Sequence, residues 1–331
     1  MKKLIAVALI LLLGLGSLSA CKAESIFKSE EDTSIECPIK VGSYEVSEAD
    51  YKALMLEFKT LMLGQEDASD TREYWLGQSG EDNMTISDYL LHQANEALIR
   101  EKLFLEQFDA LGLKLSETQQ EAIDQAQAAA GEEALKLVSM TKKNMVLDYY
   151  FGQEGTLRPL SDQDIKDYYN VHYVCVKRIV LDKVDADGKL LDEAALAAVA
   201  EKAQSVYELA AESEEDNFDA LLAEYSVEYD PKETDYRMVY NENSIGDPAL
   251  FQELSLMELG GVLLHESDKA YVVLKRCDAT ADDLFTSTDR MEMMEQIRAD
   301  ELEELIAEWR EKYDVRINTE IIEKYRPENL K

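Results

Sequence analysis

The C-terminal segment carries an apolar stripe that limits the ways in which this chain can fold. The sequence after residue 278 has a helical pattern, and apolar residues recur along one side of the predicted helix. A lone helix cannot bury such a stripe, so it needs a partner surface. We expect residues 279–331 to pack on the helical region at residues 40–160 and to complete one discontinuous domain with it. The stripe consists of Leu302, Leu305, Ile306 and Trp309.

The sequence between these two helical parts has a different amino-acid composition. Residues 173–181 and 270–276 are rich in Val, Ile and Tyr, which favour strands. Helical patterns of moderate length separate the two runs. Residues 161–278 are therefore predicted to form a compact insert of mixed helix and sheet, and the predicted fold class is α+β.

Polar residues mark the predicted starts of several helices. Ser47, Ser116 and Ser161 are each followed three residues later by Asp or Gln, a spacing similar to a capping box. Ser87 is expected to cap a long helix that ends near residue 111. Residues 41–46 alternate in polarity and are predicted to be one short strand, while residues 65–84 are predicted to be a loop.

The N-terminus has the anatomy of an export signal. Two lysines precede an apolar run at residues 4–15, which is too short to span a bilayer. The next segment, Leu18-Ser19-Ala20-Cys21, resembles the lipobox of bacterial lipoproteins. That resemblance implies a signal peptide at residues 1–20, a lipid on Cys21, a tether at residues 21–39 and a place on the extracytoplasmic face of the cell membrane. An ordinary secretory signal with a cysteine by chance is the alternative.

The charge of the chain excludes one class of partner. Lys and Arg number 34 against 69 Asp and Glu, which gives a formal charge of −35. A chain without a basic stripe is a poor ligand for nucleic acid. Anionic headgroups would also repel it, so contact with the membrane is expected to depend on the lipid at Cys21.

The sequence offers no pattern for a metal or cofactor. The cysteines after Cys21 are Cys37, Cys175 and Cys277, none of which forms a Cys-x-x-Cys motif. The three histidines are scattered along the chain. We therefore expect neither a zinc site nor a cofactor.

Five stretches, in order, resemble the parvulin-type foldases of the PrsA and SurA kind. They match the start of the chaperone domain of those proteins, the entry into the parvulin domain, its first helix, the helix before a Gly turn, and the closing strand. The resemblance implies a helical chaperone domain with an inserted parvulin-like domain built on an antiparallel sheet, at residues 161–278. The stretches are VGSYEVSEADY (41–51), SDQDIKDYYNVHYVCVKRIVL (161–181), KAQSVYELAAESEEDNFDALLAEYS (202–226), LFQELSLMELGGVL (250–263) and AYVVLKR (270–276).

The same comparison shows where this chain departs from the family. Active parvulins resemble one another in having two histidines in one hydrogen-bonded pocket. Those positions fall on Arg178 and on Val272, which follows Tyr271. His265 is expected in the turn before the last strand, at the rim of the pocket. No catalytic residue is assigned, and the resemblance implies isomerase activity that is reduced or lost.

An isomerase of this kind needs a cup for proline rather than a nucleophile. Rotation about the peptide bond crosses a barrier of about 18–20 kcal/mol, which an enzyme lowers by binding the twisted amide. By resemblance, Met238, Phe251 and Leu254 line the cup, and Arg178 could donate hydrogen bonds to a client carbonyl. The alternatives are core packing for the apolar residues and an ion pair for Arg178. Tyr271 and Val272 complete the set of candidate substrate-binding residues.

The implied partners are unfolded or newly exported proteins, bound in an aromatic cradle on the helical domain. Burial in the core is the alternative for each aromatic candidate. A non-catalytic chaperone or scaffold lipoprotein that binds protein partners is the competing function, and the sequence leaves open whether the protein forms a homodimer. The cradle candidates are Tyr74, Trp75, Tyr149, Tyr150 and Phe151.

Cys175 and Cys277 lie near the ends of the first and last strands of the insert. If those strands pair antiparallel, as in the resembled fold, the two cysteines lie at the same end of the pair. A disulfide is chemically allowed outside the cytoplasm. The alternative is a pair of buried free thiols.

Overall fold

The structure is a computed structural model that describes residues 30–65, 68–79, 84–129, 131–212, 217–233, 235–281 and 283–331. The predicted signal peptide, Cys21 and the first part of the tether lie outside these ranges. Within them, no helix is both long and apolar enough to cross a membrane.

The described residues form a mixture of helices and two four-stranded sheets, which confirms the α+β class. In chain order the strands are β1 (Glu30–Glu31), β2 (Ile39–Val41), β3 (Tyr44–Val46), β4 (Tyr173–Asp182), β5 (Met238–Asn241), β6 (Val262–Glu266), β7 (Ala270–Cys277) and β8 (Val315–Ile317). The helices are α1 (Glu48–Gln65), α2 (Arg72–Trp75), α3 (Ile86–Ala110), α4 (Glu117–Ala129), α5 (Gly131–Phe151), α6 (Asp162–His172), α7 (Glu193–Ala211), α8 (Phe218–Tyr225), α9 (Glu242–Ile245), α10 (Pro248–Leu256), α11 (Ser287–Ile297), α12 (Ala299–Lys312) and α13 (Thr319–Ile322).

The chain divides into two compact units. The first, unit 1, consists of the described residues up to Pro159 together with Arg298–Lys331, and the second, unit 2, of the described residues within Leu160–Ile297. Unit 2 continues beyond residue 278, where we expected the insert to end, because α11 packs against α6. Met293 and Met294 are buried there, and Arg290 pairs with Asp162 at 2.9 Å.

The sheet of unit 1 has the strand order β1-β8-β2-β3. Its β2 and β3 form a hairpin that turns at Gly42, where φ is +54° and glycine is favoured. The single strand predicted at residues 41–46 is therefore wrong. The pattern was misleading because buried Val41 and Val46 lie on two strands with the turn between them.

Residues 30–39 belong to the fold rather than to a free tether. Strand β1 pairs in parallel with β8, so that Glu30 lies opposite Arg316. The Asn318 side chain donates a hydrogen bond of 2.8 Å to the carbonyl of Ile35, and Cys37 is buried. The polar composition of this segment suggested a linker, but backbone pairing and these contacts hold it against the sheet.

The long helix α3 forms much of the core of unit 1, and its start differs from our expectation. Thr85 is the N-cap, because its hydroxyl accepts a hydrogen bond of 3.0 Å from the Asp88 amide. Ser87 is buried inside the first turn and donates to the Glu328 carboxylate at 2.7 Å. The capping boxes at Ser116 and Ser161 are confirmed by reciprocal hydrogen bonds.

The apolar stripe of the C-terminal segment lies on α12, because the predicted helix is broken near Arg298 into α11 and α12. Leu302, Ile306 and Trp309 are buried, and the Trp309 ring meets Phe104 of α3 edge-on, with 5.4 Å between centroids. Ion pairs flank this contact on both sides: Arg310 with Glu96 and Arg100 with Glu303.

A buried lysine joins α1 to the last residues of the chain. The Lys59 ammonium donates to the carbonyl oxygens of Pro327 and Leu330, at 2.7 and 2.6 Å, and pairs with Asp70 at 2.9 Å. It also lies over the ring of buried Trp75. Burying an ammonium is tolerated here because its hydrogen-bond donors are satisfied.

The sheet of unit 2 is antiparallel, with the order β5-β4-β7-β6. Strands β4 and β7 pair along most of their length, from Cys175 opposite Cys277 to Asp182 opposite Ala270. Strand β6 was not predicted. Helices α7 and α8 cover one face of this sheet, with Ile179 and Val273 in the buried cluster between them. Helices α9 and α10 lie on the other face, which carries the candidate site.

Candidate functional site

Strand alternation decides which candidate residues of unit 2 meet. Side chains two residues apart on a strand share a face. Met238 lies opposite Val176, and Val272 lies opposite Val180, so both share a face with Arg178. We call this side of the sheet the α10 face. Its strand residues are Val174, Val176, Arg178, Val180, Met238, Tyr240, Leu263, His265, Val272, Leu274 and Arg276.

Helix α10 supplies the apolar lid of this face. Asp247 caps the helix, accepting hydrogen bonds from the amides of Ala249 and Leu250, and Pro248 occupies its first turn. Leu254 is fully buried against the strands, and Phe251 packs beside it while half-buried. The structure therefore brings Phe251 and Leu254 to the same face as the candidate strand residues.

Tyr271 does not belong to this set. It alternates with Val272 and lies on the opposite face, where it packs against the α7–α8 cluster. The Lys183 ammonium lies 5.1 Å from the centre of the Tyr271 ring, and the Tyr271 hydroxyl forms a hydrogen bond with the Glu266 carboxylate. The structure therefore does not bring Tyr271 together with the other candidate substrate-binding residues, because neighbours in a strand point to opposite sides of the sheet.

Arg178 is held by an ion pair, the alternative that we gave for it, with a partner that the sequence did not indicate. Its Nε and Nη2 donate to the two oxygens of Glu228, both at 2.7 Å, and Nη1 donates to the Tyr240 hydroxyl at 3.2 Å. That hydroxyl also lies 3.0 Å from the Met238 sulfur. A client carbonyl would have to compete with Glu228 for the guanidinium.

Tyr240 and Glu228 are the main polar residues that sequence reasoning missed at this face. Burial raises the pKa of Tyr240, so its hydroxyl stays protonated and able to donate. The alternation of Met238 and Tyr240 in β5 could have placed Tyr240 beside Arg178. Glu228 lies in a loop after α8, and no sequence pattern indicates its contact with Arg178.

His265 lies within β6 rather than in a turn, so that expectation is wrong. It pairs in register with Val272, and its Nε2 is 4.0 Å from Asp247 Oδ2. The imidazole is half-buried at the edge of the α10 face. It is therefore next to the strand position at which the resembled family carries a histidine.

The α10 face keeps partly accessible apolar surface. Phe251, Val272 and Met257 pack on the buried cluster but are only half-buried. Beyond them, Leu256 is 81% exposed and Leu259 is 64% exposed. Apolar side chains beside a few fixed polar groups are typical of sites that bind small apolar segments.

The aromatic candidates of unit 1 are mostly structural. Trp75 and Phe151 are fully buried, and the Trp75 indole donates to Asp70 at 2.8 Å. The Tyr150 hydroxyl accepts from Gln107 at 2.7 Å. Core packing therefore describes Trp75 and Phe151, while Tyr149 is exposed. Tyr74 is half-buried, with its ring edge-on to Trp75.

The two cysteines of unit 2 are directly opposed in the sheet. Cys175 lies opposite Cys277, and among the described residues Cys37, Cys175 and Cys277 are all free thiols. Cys175 is buried and Cys277 is half-buried. The structure thus shows the dithiol form of the pair.

Comparisons with known proteins find a distant similarity to solved foldase structures. No family model matches the chain, and no curated protein matches it. The foldase protein PrsA from Streptococcus pneumoniae is 14% identical, over 74% of this chain and 90% of that one, with a TM-score of 0.28. PrsA from Bacillus subtilis is 13% identical (76% and 91% covered, TM-score 0.23), as is the foldase protein PrsA from Lactococcus lactis (90% and 100%, TM-score 0.28). At such TM-scores these similarities carry no argument about function.

Proposed function

We propose that this chain is a lipid-anchored, extracytoplasmic foldase that binds proline-containing segments of exported proteins at the α10 face. Unit 1 is its discontinuous chaperone domain and unit 2 its parvulin-like domain. The observation that carries the proposal is the convergence of Arg178, Met238, Phe251, Leu254 and Val272 on one face of the sheet.

The chemistry of the face supports binding more strongly than fast isomerisation. Arg178 and Val272 stand at the two histidine positions of the resembled family, and Glu228 occupies two donors of Arg178. An apolar cup can still favour a proline ring beside a twisted amide. The expected isomerase activity is therefore low or lost.

Export and anchoring rest on the sequence of the N-terminus. The segment Leu18-Ser19-Ala20-Cys21 supports lipidation at Cys21, and the strongly acidic chain would not adhere to anionic lipid by itself. Clients outside the cytoplasm would be proteins that have just been exported and are still unfolded.

A refolding assay tests the proposal. A client whose refolding is limited by an X-Pro bond recovers over tens to hundreds of seconds without a catalyst. The full chain in detergent micelles is added at catalytic concentration, together with Met238→Ala and Phe251→Ala variants. Tyr271→Phe is the matched control, because Tyr271 lies on the opposite face of the sheet.

The outcomes separate an enzyme from a holdase. Acceleration that Phe251→Ala reduces and Tyr271→Phe preserves supports an isomerase. Suppressed aggregation without acceleration supports the second candidate, a non-catalytic chaperone or scaffold lipoprotein that binds protein partners. The pairing of Arg178 with Glu228 favours this second candidate. If the chain neither accelerates refolding nor suppresses aggregation, both proposals are wrong.

A further inference from the structure

Two cysteines and two lysines lie on one face of the unit 2 sheet as two directly opposed pairs, and the Lys177 ammonium is itself paired with Asp219 at 2.7 Å. Cys175 is opposite Cys277, and one step along the same face Lys177 is opposite Lys275. Directly opposed residues of an antiparallel pair have Cα atoms about 4.5–5.5 Å apart. That separation falls within the range of about 4.4–6.8 Å that a disulfide requires.

The two thiols differ in exposure and acidity. A hydrogen bond from Cys175 lowers the pKa of Cys277 to about 7, and the backbone and charge of Lys177 act in the same direction against the effect of burial. That hydrogen bond and burial raise the pKa of Cys175. Cys277 is therefore the half-exposed thiol that ionises near neutral pH, and Cys175 is the buried one that stays protonated.

A buried arginine fixes the strand ends around the pair. The Arg276 guanidinium is 5% exposed and donates from Nη1 to the carbonyls of Cys175 and Cys277, at 3.3 and 3.0 Å. These two bonds join the two strands where the sulfurs face each other. Arg276 thus fixes the ends of the strands that carry the thiols, while the positive charges that lower the pKa of Cys277 come from Lys177 and Lys275.

Cys37 shows the contrast within the same chain. It is 8% exposed, and its thiol donates to the carbonyl of Ile39 at 3.4 Å. Burial raises its pKa, and no other described cysteine pairs with it. It is expected to be inert, and it serves as an internal reference for Cys277.

From this geometry we infer that Cys175 and Cys277 are a thiol–disulfide exchange site, separate from the α10 face, whose substrate is an accessible disulfide. The Cys277 thiolate attacks one sulfur of that disulfide, forms a mixed disulfide and releases the other half as a thiolate. Cys175 then passes its proton to a released thiolate and attacks the Cys277 sulfur. The Cys175–Cys277 bond forms and the second half leaves as a thiolate, which takes a proton from water, so that two electrons have reduced the substrate disulfide and oxidised the two cysteines.

A redox titration of the full chain tests this inference with glutathione as the probe. Samples equilibrated at graded ratios of oxidised to reduced glutathione are quenched, alkylated and cut with trypsin without reduction. Cleavage after Lys and Arg places the cysteines on peptides 167–177 and 277–290. We expect these peptides to become joined as the ratio rises, while Cys37 remains open to alkylation after unfolding. The inference is wrong if both peptides stay unlinked at the most oxidising ratio.

Single substitutions test the two roles. Cys175→Ser should accumulate glutathione on Cys277, because the resolving thiol is missing, whereas Cys277→Ser should leave Cys175 largely unmodified. Cys37→Ser is the matched control and should titrate like the wild type. Equal adduct levels in the first two variants would overturn the assignment of roles. The wild-type titration still decides the main inference if a variant fails to fold.

Alkylation kinetics give a second readout without any substitution. At pH 7, a thiol of pKa about 7 is about sixteenfold more ionised than an ordinary one, and its lower nucleophilicity reduces the gain to about threefold. We expect limiting iodoacetamide to label Cys277 before Cys175 and Cys37 in the folded chain. Labelling of Cys277 no faster than of Cys37 would contradict the inference.

Discussion

Replacing Glu228 by Gln removes the charge that now occupies Arg178. In the structure, Arg178 donates two hydrogen bonds to Glu228 and a third to Tyr240. A glutamine is nearly the same size but cannot form the charged two-point contact. If the α10 face binds client segments through Arg178, the freed guanidinium should bind a client carbonyl more readily.

The size of the effect follows from the exposure of the pair. The side chains of Arg178 and Glu228 are 33% and 43% exposed, so water and salt screen their attraction. Exposed pairs contribute about 0.2–1 kcal/mol. Removing that competition should tighten binding of a proline-containing peptide by about 1.4- to 5-fold.

Fluorescence anisotropy with a labelled, unstructured proline-containing peptide measures the change. Asp219→Asn is the matched control, because it removes the carboxylate that pairs with Lys177 on the opposite face, at 2.7 Å. It should leave the Kd unchanged. The difference between Glu228→Gln and wild type should also shrink as salt rises. Equal or weaker binding by Glu228→Gln at low salt would refute a role for Arg178 in client binding.

Further predictions concern stability and anchoring. Trp309→Ala should lower the free energy of unfolding of unit 1 by about 3–5 kcal/mol in urea titrations, while half-buried Leu305→Ala should cost less. A hydrogen bond from the Trp75 indole holds the pKa of Asp70 below its ordinary value of 3.8. The stability that the ionised Asp70 contributes is therefore present above pH 3.8 and is lost as the pH falls below it. The free energy of unfolding of Asp70→Asn should therefore fall less steeply than that of the wild type as the pH drops below about 4. Cys21→Ala should abolish labelling with radioactive palmitate and release the protein from the membrane fraction; labelling that persists would contradict lipidation at Cys21.

The two central strands of unit 2 could be predicted, because their signals are local and strong, whereas their antiparallel pairing was expected only from the resemblance to the parvulin-type foldases. Residues 173–182 and 270–277 are rich in β-branched side chains, and their register places Cys175 opposite Cys277. Strand β6 was missed because it is short, follows a glycine turn, and has the polar residues His265 and Glu266 at its end. Its place in the sheet comes from its pairing with β7, which no local pattern in the sequence indicates.

The candidate site was predicted in part, and the errors have separate causes. Tyr271 was grouped with Val272 because they are adjacent in sequence, although alternation separates them by the thickness of the sheet. Glu228 was missed because its contact with Arg178 joins residues far apart in sequence. Trp75 lies in a polar segment that we predicted to be a loop, yet its burial depends on contacts made by the distant Lys59.

The hydrogen bonds from Lys59 to residues 327 and 330 affect the order in which unit 1 folds. Lys59 is separated from its acceptors on Pro327 and Leu330 by 268 and 271 residues. During synthesis, helix α1 therefore emerges long before the carbonyls that accept hydrogen bonds from the Lys59 ammonium. Closing so long a loop is a late step, so unit 1 is expected to stay open to proteases until residues 327–330 have been made. Cleaving the chain before Pro327 would leave the Lys59 ammonium without its two carbonyl acceptors and would prevent this contact from forming.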